Sequence, residues 1–220
     1  MRRVISEFSD NSQAVTVTLY NENVAERKTI TFDNYVKFLL DHRAEQELFR
    51  LPLLPKGYYA GSLSPSDAST FKCTVVIPAA VNAMSFMGQN YIVPYPALLI
   101  KFCVTKGYQN STVCYALDTD TPTDNSKLYQ YPFGNVSTEG KVCWGSNTLP
   151  NLTSLHDVDK LVRIFYNSDS NSDYWGVNHH VKEWSKKDRT LGKFLTYLSK
   201  KEIFPKKLLV PKELTVGNII

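Results

Sequence analysis

Residues 14–32 alternate in polarity: Val15, Val17 and Leu19 fall on one side of an extended chain, Thr16 and Thr18 on the other. A polar turn, Asn21-Glu22-Asn23, separates them from a second run over 28–32. That pattern predicts a β-hairpin. Asp33 then stands at a cap position ahead of Tyr35, Val36, Leu39 and Leu40, whose spacing predicts a short helix. The prolines Pro52 and Pro55 close the region. The expected organisation is an N-terminal extension over residues 1–55 and a main domain over 56–220.

The main domain opens with strand patterns. Residues 57–63 and 70–77 flank the turn Ser64-Pro65-Ser66-Asp67, residues 78–90 read as a loop, and 97–104 and 112–117 flank Lys106-Gly107-Tyr108-Gln109-Asn110. Four strands joined in succession predict an antiparallel meander. After a polar loop at 118–125 the period changes. Leu155, Val158, Leu161, Val162 and Phe165 recur at helical spacing behind Thr153 and Ser154, either of which can cap the start. Leu191, Phe194, Leu195 and Leu198 do the same behind Asp188. Strands first and helices afterwards make the fold class α+β, an antiparallel meander with C-terminal helices.

Composition narrows the function classes. At 43% hydrophobic and 21% charged, with a net charge of +4 over 220 residues, the chain is not of a disordered type. No apolar run reaches the ~18 residues of a membrane span, and MRRVISEFSDNSQ lacks the apolar core of a secretory signal, so a soluble cytoplasmic protein without membrane association is expected. Cys73, Cys103, Cys114 and Cys143 include no CxxC pair, and His42, His156, His179 and His180 complete no zinc pattern. Neither a metal nor a cofactor is expected. Cys73, Cys103 and Cys114 lie inside apolar strands and are expected in the core. Residues 182–212 hold ten basic and three acidic residues. Such a stretch can attract nucleic acid, but its lysines are interleaved with leucines, the pattern of a solvated helix face.

The densest local signal is YPFGNVSTEGKVCWGSNTLP, residues 131–150. Asn135 precedes Cys143 by eight residues and Gly140 precedes it by three, so a side-chain amide can fold back over the thiol. This segment resembles the active site of ubiquitin-conjugating enzymes, in which a His-Pro-Asn motif is followed at that interval by the catalytic cysteine. Pro150-Asn151-Leu152-Thr153 resembles the family's entry into the following helix. Here Tyr131 replaces the histidine and two residues separate Pro132 from Asn135. In length, N-terminal extension and the run from Pro132 to Ser146, the chain is similar to the bacterial branch called PRTRC system protein B, or prokaryotic ubiquitin-conjugating family D.

The resemblance implies a ubiquitin-conjugating fold and a transferase. Cys143 would carry a ubiquitin-like protein as a thioester and pass it to an amine. Asn135 would donate to the tetrahedral oxyanion or hold the loop that does so. The implied partners are a ubiquitin-like protein, a ThiF-like adenylating enzyme and a JAB-type metallopeptidase. Asp169 and Asp173, in a polar loop, are candidates for deprotonating the amine, and His179-His180 for a cysteine–histidine pair with Cys143. Two alternatives stay open. One is a non-catalytic adaptor of the same fold; the other is a plasmid-associated nucleic-acid-binding protein using the basic stretch, although no such binding is expected.

Overall fold

A computed structural model describes residues 2–8, 14–21, 24–43, 53–64, 66–176, 180–182, 184 and 190–220. The chain divides into two compact units, Met1–Leu51 and Pro52–Ile220.

In the first unit β1 (Arg2–Phe8), β2 (Ala14–Asn21) and β3 (Val24–Thr31) form an antiparallel sheet in that order, followed by α1 (Phe32–Arg43). The expected hairpin is β2–β3, with Val15 and Val17 buried. β1 is an addition. Its RRVISEF sequence has no clean alternation, and an edge strand needs only one bonded neighbour. The cap of α1 is Thr31, whose hydroxyl accepts the Asn34 N–H at 3.3 Å. Asp33 lies inside the first turn instead. β3 runs straight into the helix, so the capping position falls on the last residue of the strand.

The second unit is built on a six-stranded antiparallel sheet. Its strands are β4 (Tyr58–Ser64), β5 (Asp67–Ile77), β8 (Ala97–Thr105), β9 (Tyr108–Leu117), β10 (Lys127–Gln130) and β11 (Pro211–Thr215), in the order β11-β10-β9-β8-β5-β4. The four-strand meander is present as β4, β5, β8 and β9. The segment read as a loop is instead a hairpin, β6 (Ala80–Phe86) with β7 (Gln89–Tyr95). Its turn puts Met87 and Gly88 at φ 50 and 73. Two left-handed residues are what a tight hairpin requires, and methionine in the first of them is no turn signal.

β8 buries both faces. Leu98, Ile100 and Phe102 pack with Cys73 and Cys114 against α2 (Val158–Asn167) and α3 (Leu191–Leu198), through Val158, Leu161, Phe165, Phe194 and Leu198. Full burial of such side chains is worth ~1.5–3 kcal/mol each. On the second face Ala97 and Leu99 pack with Val76, Leu117, Leu128 and Val216, so residues near the C-terminal end form a cover. Lys101 reaches that cover, donating from Nζ to the Ile219 carbonyl. Cys103 lies further along this face, between the exposed residues Lys72 and Ser111. It is therefore half-buried and not in the core as expected. Cys73 and Cys114, on the first face, are fully buried.

A 3₁₀ turn, Leu155–Asp157, leads into α2. The Asp157 carboxylate accepts from the Thr153 N–H at 2.8 Å, the Thr153 hydroxyl at 2.9 Å and the Ser154 N–H at 3.2 Å. Thr190 caps α3, accepting the Lys193 N–H at 3.4 Å; Asp188 lies outside the described residues. Among the described residues, no helix is long and apolar enough to cross a membrane.

Candidate active site

The interval between Asn135 and Cys143 has a simple geometric origin. Residues 135–137 and 141–143 are the arms of a small hairpin with a three-residue loop. Val136 opposes Val142, the Ser137 N–H donates to the Lys141 carbonyl at 2.9 Å, and the Cys143 N–H donates to the Asn135 carbonyl at 2.8 Å. The Gly140 N–H closes the turn on the Ser137 carbonyl at 2.9 Å, with Gly140 itself at φ 84. A turn followed by a left-handed residue is the usual three-residue hairpin loop, and it places the glycine three positions before the cysteine. Asn135 and Cys143 are thus directly opposed, and opposed residues project from the same face.

The hairpin docks on the edge of β9, beyond the end of β10. The Cys114 N–H donates to the Gly140 carbonyl at 2.8 Å and the Val142 N–H to the Thr112 carbonyl at 3.0 Å. Buried Gln130, at the end of β10, donates through Nε2 to the Ser137 carbonyl at 2.7 Å. The Tyr115 hydroxyl donates to the Glu139 carbonyl at 2.8 Å, and Lys212 Nζ on β11 to the Thr138 carbonyl at 2.8 Å. At the tip, the Glu139 carboxylate accepts from the hydroxyls of Thr138 at 2.7 Å and Ser137 at 2.9 Å. Those bonds favour the ionised form and hold its pKa down at about 2.

A second segment is fastened to the hairpin. Asn135 Nδ2 donates to the Asp169 carbonyl at 3.0 Å, and Asn135 Oδ1 accepts the Asn171 N–H at 2.8 Å. Both ends of the amide are used in this way, pinning residues 169–171 to the hairpin. Asp169 lies in this segment and Asp173 two residues beyond it, and both are exposed. Gly134 makes the approach possible, since a Cβ there would sit 1.8 Å from the Asn171 carbonyl oxygen. Asn147, which sequence reasoning missed, adds another tie, donating from Nδ2 to Ser168 Oγ at 2.9 Å. Its only sequence signal is a position four residues after the cysteine, in a Gly-Ser-Asn turn.

Cys143 is half-buried. His180 is fully buried, with Nε2 bonded to the Val136 carbonyl at 3.0 Å and Nδ1 to the Gly176 N–H at 3.2 Å. Both ring nitrogens therefore serve backbone, and the ring props one arm of the hairpin; His179 lies outside the described residues. Tyr131 is buried, with its ring centroid 5.3 Å from Phe133 and 5.6 Å from Phe165. Burial pushes its hydroxyl pKa well up, so it stays neutral. Among the described residues no His, Cys, Asp and Glu side chains cluster as a metal site would.

The second unit is thus an antiparallel meander with helices after it, and the hairpin that opposes Asn135 and Cys143 lies on its edge. The chain belongs to prokaryotic E2 family D, whose family model matches residues 66–212, from β5 to β11. No curated protein and no solved structure matches it.

Proposed function

We propose that Cys143 accepts the C-terminal carboxyl of a ubiquitin-like protein as a thioester and delivers it to an amine, within a PRTRC-type modification system. The supporting observation is the hairpin that sets Asn135 directly across from a half-buried Cys143 while Cys73 and Cys114 are sealed in the core. Burial pushes the Cys73 thiol up to about 12 and Cys114 well above the ordinary thiol value, which leaves both inert. In loading, the Cys143 thiolate attacks the carrier thioester of a ThiF-like adenylating enzyme; a new S–C bond forms and the carrier thiolate leaves. In transfer, an amine attacks the Cys143 thioester, the N–C bond forms, and the Cys143 thiolate departs after the amine gives up a proton. Asp169, within the pinned segment, and Asp173, two residues beyond it, are exposed carboxylates and are assigned as the proton acceptors. Asn135 is a positioning residue, because both ends of its amide are engaged by residues 169–171. A JAB-type metallopeptidase would process the ubiquitin-like partner.

Incubation with the adenylating enzyme, ATP and the ubiquitin-like protein is expected to give a reductant-sensitive adduct. Cys143→Ser should convert it to a reductant-resistant ester, and Cys143→Ala should abolish it. An absent adduct alongside tight non-covalent binding of the ubiquitin-like protein would establish an adaptor instead.

A further inference from the structure

We propose that Asn147 and Ser168 form a positioning relay that locks the backbone carrying Cys143 to the C-terminal end of α2; its kinetic test rests on the transfer reading above. Trp144 follows Cys143 and starts a turn in which the Asn147 N–H donates to the Trp144 carbonyl at 3.2 Å, around Gly145 at φ 58. Nothing packs where a Cβ of Gly145 would sit, so packing at that residue does not fix the turn. The Asn147 side chain ties it instead. Its Nδ2 donates to the Trp144 carbonyl at 2.7 Å and to Ser168 Oγ at 2.9 Å. Ser168 Oγ donates in turn to the Ile164 carbonyl at 2.6 Å, inside the last turn of α2.

The donors and acceptors run in one direction only. The Trp144 and Ile164 oxygens can only accept, so Ser168 gives its proton to Ile164 and receives one from Asn147, whose amide must present its NH₂ group. An aspartate has the same shape and no proton to give. The relay also completes a bracket around the thiol. Cys143 is held on one side by its N–H on the Asn135 carbonyl at 2.8 Å. On the other, Trp144 is held at its carbonyl by Asn147 and at its ring by Phe165, with centroids 6.3 Å apart. Asn147 is exposed and Ser168 only half-buried, so neither contributes to the core. Their joint effect is on where the nucleophile sits, and acyl transfer is sensitive to small misplacements.

The test uses the full chain with Asn147→Ala, Asn147→Asp, Ser168→Ala, Ser168→Thr and the Asn147→Ala/Ser168→Ala double variant. Single-turnover discharge of the Cys143 thioester to a small amine should slow roughly 3–10-fold in Asn147→Ala, Asn147→Asp and Ser168→Ala, the scale of one or two lost hydrogen bonds. The amine concentration for half-saturation should not move. Ser168→Thr should restore the wild-type rate, and the double variant should be no slower than either single one. Wild-type rates in Asn147→Asp, or additive losses in the double variant, would overturn the relay. If the wild type forms no thioester, the transfer reading fails, and iodoacetamide alkylation of Cys143 decides the relay on its own. The three disrupting single variants should then share an altered rate that Ser168→Thr does not show, and unchanged rates in all three would refute it.

Discussion

Gly134 and Gly140 are each required, for different reasons. At Gly134 the obstacle to a side chain is backbone, since a Cβ there would sit 1.8 Å from the Asn171 carbonyl oxygen. At Gly140 it is the left-handed φ of 84, together with the Tyr115 ring at 2.5 Å. Gly134→Ala should push residues 169–171 away and break both Asn135 side-chain bonds, at a cost of about 1–3 kcal/mol. Gly140→Ala should open the hairpin at similar cost, through strain in the left-handed region. Amide hydrogen exchange separates the two. The Asn171 N–H should lose protection in the first variant and the Cys143 N–H in the second. Unchanged protection at Asn171 in Gly134→Ala would remove the close-approach role from that glycine.

The hairpin over residues 135–143 is also sensitive to acid. Glu139 has its carboxyl lowered from 4.5 to about 2 by the Thr138 and Ser137 hydroxyls. A depressed folded-state pKa means that this support is complete above pH ~4.5 and is lost as pH falls towards ~2. Protection of the Gly140 N–H, corrected for intrinsic exchange, should decline across that window. Asp157 is held below the usual carboxylate range first by Lys160, at 2.7 Å, and by Thr153, so the start of α2 loosens in acid as well. Glu139→Gln should flatten the response at Gly140 alone. If Gly140 in that variant still follows wild type, the Glu139 contacts do not hold the turn.

Across the whole chain, the basic stretch is split among three elements with different tasks. Lys200, Lys201, Lys206 and Lys207 are exposed, whereas Leu191, Leu195, Leu198, Leu208 and Leu209 are buried. Lys201 Nζ sits 5.2 Å from the Tyr197 ring centroid, and Lys212 is bound to the hairpin at Thr138. Lys186 and Lys187 lie outside the described residues. Lysines distributed over a helix, a turn and a strand, with their leucines in the core, predict no duplex binding. A true phosphate strip would show a logarithmic salt slope near −0.9 per phosphate. Titration with labelled duplex at about 50 and 200 mM salt is expected to show none. Sub-micromolar binding lost at the higher salt, and on charge reversal at Lys206 and Lys207, would restore the nucleic-acid reading.

The sequence by itself determined the elements whose burial repeats at their own period: β2–β3, the meander strands, and the apolar faces of α2 and α3. It also determined the local geometry around Cys143, because a three-residue hairpin loop is a short-range object and its length fixes which residues oppose each other. Tertiary structure decided what depends on partners distant in the chain. β10 and β11 are four and five residues long and become strands only by pairing with each other and, through β10, with β9. The exposure of Cys103 was set by where the C-terminal cover ends, which no strand pattern encodes. The work of Asn135 and Asn147 was likewise decided by a segment more than twenty residues further along. Periodicity reports which face of an element is apolar; it carries no information about which carbonyl will stand opposite an amide.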